Sequence, residues 1–247
     1  MKSELGNIIK LKKQNDTPLF AAFDFDNTMI DGDINDAVFA MMINADCKIA
    51  YSFDDYINDV EALGLKEAYI KMAAKFAGLS YKNLEYFTEK TLETKESTIS
   101  IHCKLREYTV PIPKPNAFIM NLVSFLKQNG VIVCIVSATH SVIVKKAAEL
   151  LFNIDKNYVF GMDCEYEFID NQIILTDRIT EPYTCFEGKV DRLKSIFGSV
   201  KPILTAGDSF SDVPLLNYTA ENGYALVLGS KKQEIAKQVD KSVVFPV

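Results

Sequence analysis

The apolar positions of this chain change rhythm along its length. Leu19 to Phe25 (LFAAFDF) is a nearly unbroken apolar run, the pattern of a strand buried on both faces. Residues 1–17 ahead of it predict a short helix and a lead-in. From Asp33 to Tyr108 the spacing is helical, with helices predicted at Asn35–Asp46, Phe53–Leu63, Lys66–Ala77 and Lys82–Lys104 and no strand among them. Pro111, Pro113 and Pro115 then crowd together. Proline fixes its own backbone and disfavours helix before it, so a linker is expected there.

Beyond the prolines, Asn116–Gln128 reads as a helix closed by Gly130. Strands at Val131–Val136, Ile203–Ala206 and Ala225–Leu228 then alternate with helices at His140–Leu151, Glu187–Phe197, Val213–Asn217 and Lys231–Val239. Tyr158–Phe168 and Gln172–Thr176 flank Asp170-Asn171 as a hairpin, and Val243–Phe245 suits an edge strand. Strands separated by helices imply a parallel sheet covered on both faces. The expected fold is α/β: a Rossmann-like parallel core made of residues 1–30 and 114–247, interrupted by an all-helical cap at 31–113.

Composition narrows the function classes. With 247 residues, 48% of them hydrophobic and 24% charged, the chain can bury a large core and is not globally disordered. Its 27 basic and 33 acidic residues give a net charge of −6, so neither nucleic acid nor an anionic membrane is an expected partner. The apolar run Val131–Val136 falls far short of the ~20 residues of a spanning helix, and no signal-peptide pattern opens the chain. Cys47, Cys103, Cys134, Cys164 and Cys185 are scattered, with no Cys-x-x-Cys. That usage suits a reducing cytoplasm and argues against a disulfide framework or a zinc site. The sequence sets no oligomeric state.

Parallel sheets bind ligands at the carboxyl ends of their strands. Four polar stretches fall at such ends or at a helix start: Asp24-Phe25-Asp26-Asn27-Thr28, Ser137-Ala138-Thr139, Gly188-Lys189, and Gly207-Asp208-Ser209-Phe210-Ser211-Asp212. Asp24, Asp26 and Asp208 offer the hard oxygen ligands that suit Mg²⁺. An aspartate can also attack phosphorus, a second carboxylate can move the proton, and a lysine can stabilise charge on the phosphoryl oxygens. Ser137 and a backbone N–H beside it, at Ala138, suit one phosphate oxygen.

These four stretches, in this order, resemble those of the haloacid dehalogenase-like phosphohydrolases, and the likeness covers the whole core. The resemblance implies that Asp24 is the nucleophile and Asp26 the acid/base, whose backbone carbonyl also binds the metal. It implies that Asp208 is a metal ligand, that Asp212 supports the metal waters and Lys189, and that Thr28, Ser137, Ser211 and Lys189 hold the phosphoryl group. Asp26 favours phosphoryl chemistry, because dehalogenase members of the family lack a second aspartate there. The stretches Glu181–Lys189 and Ala206–Ser209 look like the phosphoserine and phosphorylcholine phosphatase branch. Phosphoserine phosphatases use a cap glutamate and a cap arginine; here the aligned acid is Asp33, and the insert's arginine, Arg106, stands in no matching context.

The insert carries the choice of substrate. Residues 31–113 hold 14 acidic and 9 basic residues and six tyrosines. Aromatic faces beside carboxylates can hold an ammonium group, so a phosphate ester with a cationic tail, such as phosphocholine or phosphoethanolamine, is one expectation. Acidic residues coating solvated helices and tyrosines packing the cap core are the other. Asp33 is the candidate contact to the leaving group. The reaction expected is Mg²⁺-dependent hydrolysis of a small phosphomonoester through an aspartyl-phosphate. Transfer to another acceptor, as in a phosphotransferase or mutase, is the alternative. A phospho-accepting regulatory domain shares the chemistry but needs no cap.

Overall fold

The computed structural model describes residues 2–13, 18–47, 49, 51–103, 106–240 and 242–244. Helix α1 (Lys2–Lys13) precedes strand β1 (Phe20–Phe23), and β2 (Ile30–Asp31) leads away from the sheet. Helices α2 (Ile34–Asn44), α3 (Phe53–Leu63), α4 (Leu65–Ala74) and α5 (Tyr81–Glu93) follow, then a hairpin of β3 (Thr98–His102) and β4 (Glu107–Pro111). β5 (Lys114–Pro115) returns the chain beside β2, pairing Ile30 with Pro115 and Asp31 with Lys114. Next come α6 (Ala117–Gln128), β6 (Ile132–His140), α7 (Ser141–Phe152), β7 (Val159–Ile169) and β8 (Gln172–Thr180). The chain ends with α8 (Glu187–Phe197), β9 (Leu204–Gly207), α9 (Val213–Asn217), β10 (Tyr224–Val227), α10 (Lys232–Ala236) and β11 (Ser242–Val244).

Seven strands form one sheet in the order β11-β10-β9-β1-β6-β7-β8. All neighbours are parallel except the edge pair β7–β8. β1 lies near the middle, and its four residues are fully buried. The faces divide as strand geometry demands. Ala21 and Phe23 pack into the large core with α1, α6, α7 and the helices of 31–113. Phe20 and Ala22 face α8 and α9, where Phe20 stacks on Phe197 at 3.9 Å. The sheet is therefore covered on both sides, as its unalternating apolar strands require.

The segment between β2 and β5 is not all-helical, a correction to the sequence reading. The helix expected to reach Lys104 stops at Glu93, and residues 98–102 form a strand. Thr98-Ile99-Ser100-Ile101-His102 alternates exposed and buried, so Ile99 and Ile101 reach the core on a two-residue period. The β-branched alternation outweighs the helical spacing upstream; Lys104 itself lies outside the described residues. A second difference is that β6 continues four residues past Val136, through Ser137, Ala138, Thr139 and His140. His140 caps α7 by accepting from Val142 N. The hairpin turn at Asp170-Asn171 is as expected, both residues having positive φ. Of the predicted edge strand, Val243 and Val244 lie in β11 and Phe245 is outside the described residues. No helix among the described residues is long and apolar enough to cross a membrane.

Candidate active site

The carboxyl ends of β1, β6 and β9 meet at one point, since these strands are neighbours in the sheet. Asp24 follows β1 directly, and its N–H donates to Ala206 O of β9 at 2.9 Å. Asp24 is 165 residues from Lys189 in sequence, yet Lys189 Nζ donates to Asp24 Oδ1 at 2.6 Å. The same ammonium donates to Asp212 Oδ1 at 2.6 Å. Lys189 is only 1% exposed, so α8 threads its whole stem through the core to deliver that charge. Burial alone would lower its pKa, but Asp212 and Asp24 outweigh this and shift it upward, keeping it protonated.

Asp212 organises the loop after β9. Its second oxygen accepts from Asp208 N at 3.2 Å, Ser209 N at 3.0 Å and Ser209 Oγ at 2.8 Å. Ser211 Oγ lies 2.7 Å from Ser209 Oγ. Thr28, fully buried, donates to Asp208 Oδ1 at 3.2 Å. Carboxylate oxygens of Asp24, Asp208 and Asp212 all lie within 4.8 Å of one another. Three carboxylates around one ammonium leave surplus negative charge, and burial followed by that repulsion raises Asp24 to about 7 and Asp208 to about 8. Such hard, oxygen-only donors fit a divalent cation of the Mg²⁺ type. Asp212 is already engaged by Lys189 and the loop amides, which suits it to a supporting place rather than the innermost one.

Gly207 makes the approach feasible. A Cβ there would stand 2.5 Å from Asp212 Cβ, with no room for it to yield. Gly207→Ala is expected to displace Asp212 and with it Lys189, cutting catalytic turnover strongly while costing roughly 1–3 kcal/mol of stability. An activity assay and a thermal melt check both halves.

Asp26 faces elsewhere. Its Oδ1 accepts from Ile34 N at 2.7 Å, and its Oδ2 accepts from Thr139 Oγ1 at 2.6 Å and Ser137 Oγ at 3.2 Å. Burial and the Asp33 charge raise it to about 8, against the pull of these donors. The structure thus brings Ser137 onto Asp26, with Ser137 Oγ also accepting from Thr139 N at 3.0 Å. Asp33 caps α2, accepting from Asp36 N at 2.9 Å. Burial and the Asp36 charge raise Asp33 to about 8, and burial and the Asp26 charge raise Asp36 to about 7.

Asp24, Asp26, Asp33, Ser137, Ala138, Lys189, Asp208 and Ser211 all border one cavity of about 100 Å³, whereas Thr28 and Asp212 lie behind them and do not line it. It adjoins a groove of about 1040 Å³ floored by Asn27, Asp208 and Ser211. The sequence analysis has Thr139 only as part of a strand-end stretch and Tyr56 and Tyr69 only among the six tyrosines of 31–113, and it does not single out Asp36; all four line the cavity. Two signals were available. Thr139 follows Ser137 at the two-residue strand period, and Asp36 sits three residues past Asp33 in the first turn of α2.

A buried carboxylate–ammonium cluster at the carboxyl edge of a parallel sheet, beside a small cavity, defines an α/β enzyme. The chain belongs to the haloacid dehalogenase-like hydrolases, whose family model matches residues 21–217. No curated protein matches it. Among solved structures, it is similar to a protein of unknown function from Bordetella pertussis Tohama I, at TM-score 0.66 and 21% identity, over 93% of this chain and 99% of that one. It is also similar to a HAD family hydrolase from Salmonella enterica serovar Typhi, at TM-score 0.57 and 15% identity, over 97% of this chain and 75% of that one. A phosphoserine phosphatase solved as a phospho-aspartyl intermediate analogue matches at TM-score 0.52 and 15% identity, over 92% and 93% of the two chains. At such identities these likenesses establish the fold.

Proposed function

We propose that this hydrolase is a phosphatase of small phosphomonoesters that works through an aspartyl-phosphate on Asp24. The observation that carries the reading is the buried Lys189 ammonium held between Asp24 and Asp212, with Asp208 within 4.8 Å. An Asp24 oxygen bonds to phosphorus as the ester P–O bond breaks, and the departing oxygen takes the proton of Asp26. Water then attacks the phosphorylated Asp24, giving its proton to Asp26 and releasing phosphate, so both side chains return to their starting state. Lys189 balances charge on the transferring oxygens, and Thr28, Ser137 with Ala138, and Ser211 are assigned to the phosphoryl group. Mg²⁺, held by Asp24, Asp208 and the Asp26 carbonyl and supported by Asp212, would neutralise phosphate charge.

Residues 31–113 are assigned as the cap, closing over a core of 1–30 and 114–247. The β2–β5 pair at its two crossings supports that division. The leaving-group side of the cavity supports a cationic tail: Asp33, Asp36, Tyr56 and Tyr69 line it, and among the described residues Lys189 is the one lysine or arginine on the cavity wall, with His140 beside it. A panel of phosphorylated amines, sugars and nucleotides with phosphate readout tests the reading. Preference for phosphoethanolamine or phosphocholine is expected. Preference for a sugar phosphate or nucleotide would remove the tail assignment, and release of phosphate from none would remove the phosphatase.

Metal dependence has a signature in stability. The folded-state values of about 7, 8 and 8 for Asp24, Asp26 and Asp208 lie far above their ordinary 3.8. The folded chain then binds more protons than the unfolded one across that interval, so stability falls as pH rises through it. His140, brought down to about 4 chiefly by burial, acts in the opposite sense only below its ordinary 6.5. Between pH 6.5 and 8 the melting temperature of metal-stripped protein is expected to fall, and millimolar Mg²⁺ to reverse the fall. A flat profile that Mg²⁺ does not move would contradict the site.

A further inference from the structure

The reaction above asks Asp26 to lose and regain a proton in every cycle without changing place. Its two oxygens are held by different kinds of donor. Oδ1 accepts from the backbone N–H of Ile34, the first residue of α2. An amide can only donate, so it favours the ionised oxygen and disfavours a proton on Oδ1. Oδ2 accepts from two hydroxyls, and a hydroxyl can turn to accept instead. The proton therefore belongs to Oδ2.

The two hydroxyls are not equivalent. Ser137 Oγ accepts the Thr139 amide at 3.0 Å, so one of its lone pairs is already committed, and it stands 3.2 Å from Asp26. Thr139 Oγ1 is at 2.6 Å, and the residue is only 5% exposed, enclosed on β6. The shorter bond and the free lone pairs single out Thr139.

We propose that Thr139 is the positioning residue of the acid/base. It donates to Asp26 Oδ2 when Asp26 is ionised, accepts from it when Asp26 rests protonated, and turns back to donate as that proton passes to the departing oxygen, so the carboxyl group keeps one orientation through both half-reactions. The Ile34 amide, at the start of the inserted segment, fixes the other oxygen. This assignment rests on the phosphatase reading.

The test is the dependence on leaving group. kcat/KM reports the steps up to phosphorylation of Asp24, the half-reaction in which Asp26 acts as acid. An alkyl ester such as glycerol 2-phosphate needs that proton; p-nitrophenyl phosphate, whose phenolate leaves unaided, does not. Thr139→Val is expected to lower kcat/KM for the alkyl ester by about 10–100-fold and for the aryl ester by no more than about threefold. Thr139→Ser, which keeps the hydroxyl, is expected to restore the wild-type ratio of the two esters. Thr139→Ala should discriminate as Val does, which separates hydroxyl loss from crowding. Equal losses on both esters, no loss on either, or failure of Thr139→Ser to restore the ratio would overturn the assignment. Wild-type protein that releases phosphate from no alkyl ester of the panel and from no aryl ester would overturn the phosphatase reading, and this inference with it.

Discussion

Asp24→Asn is expected to abolish phosphate release on the proposed mechanism, a loss on the order of 10⁴-fold or more, because the attacking carboxylate is gone. Asp208 and Asp212 are close by, but Asp212 is tied to Lys189 and to the Ser209 amide, and Asp208 is bound by Thr28. The fold should survive. Asparagine retains an oxygen for Lys189 and occupies nearly the same volume. It also removes one of three mutually repelling carboxylates, the one that burial and Asp212 push up to about 7. The variant should therefore melt no lower than the wild type in metal-free buffer at pH 8, and should gain less from added Mg²⁺. Full activity in this variant would end the mechanism; a collapsed fold would show that Asp24 is needed for structure first.

Lys189→Met should be costly in both stability and rate. Methionine fills much of the lysine stem's volume, but it leaves Asp24 and Asp212 buried with no ammonium between them. Breaking one partner out of a buried ion pair costs about 3–5 kcal/mol. On the proposed mechanism, loss of this charge should lower kcat by about 10²–10³-fold. The two effects separate in the double variant Lys189→Met with Asp24→Asn, which relieves part of the buried charge. Its melting temperature should recover toward the wild type while activity stays absent. Failure to recover would place the destabilisation in packing along α8 rather than in the carboxylates.

The sheet and its site were legible in the sequence for a common reason. LFAAF and VIVCIV are long apolar runs that only a doubly covered sheet accommodates, and each ends in polar residues that have nowhere to go but the crevice at its edge. The family resemblance then attached roles to Asp24, Ser137, Lys189 and Asp208. The hairpin at 98–111 was hidden because its first strand follows a helix with only a few residues between, and short apolar alternation is easily read as a continuation. Thr139 was hidden because β6 runs past Val136, and only the longer strand brings residues 137 and 139 to the same side. Tyr69 was hidden because its neighbourhood is tertiary; nothing local in a helix announces that it roofs a cavity.

The inserted segment is also sewn to the far edge of the sheet. Leu175 of β8 donates to Leu79 O at 2.9 Å, and its own carbonyl accepts from Gly78 N at 2.9 Å. With the β2–β5 neck at one end and this seam at the other, a wide swing of 31–113 must part main-chain hydrogen bonds of the kind that hold strands together. The groove beside the small chamber, which shares Asn27, Tyr69, Asp208 and Ser211 with it, offers a way in that leaves those bonds intact. In an amide-exchange experiment, the amides of Gly78 and Leu175 should accordingly stay protected on the timescale at which ligands come and go.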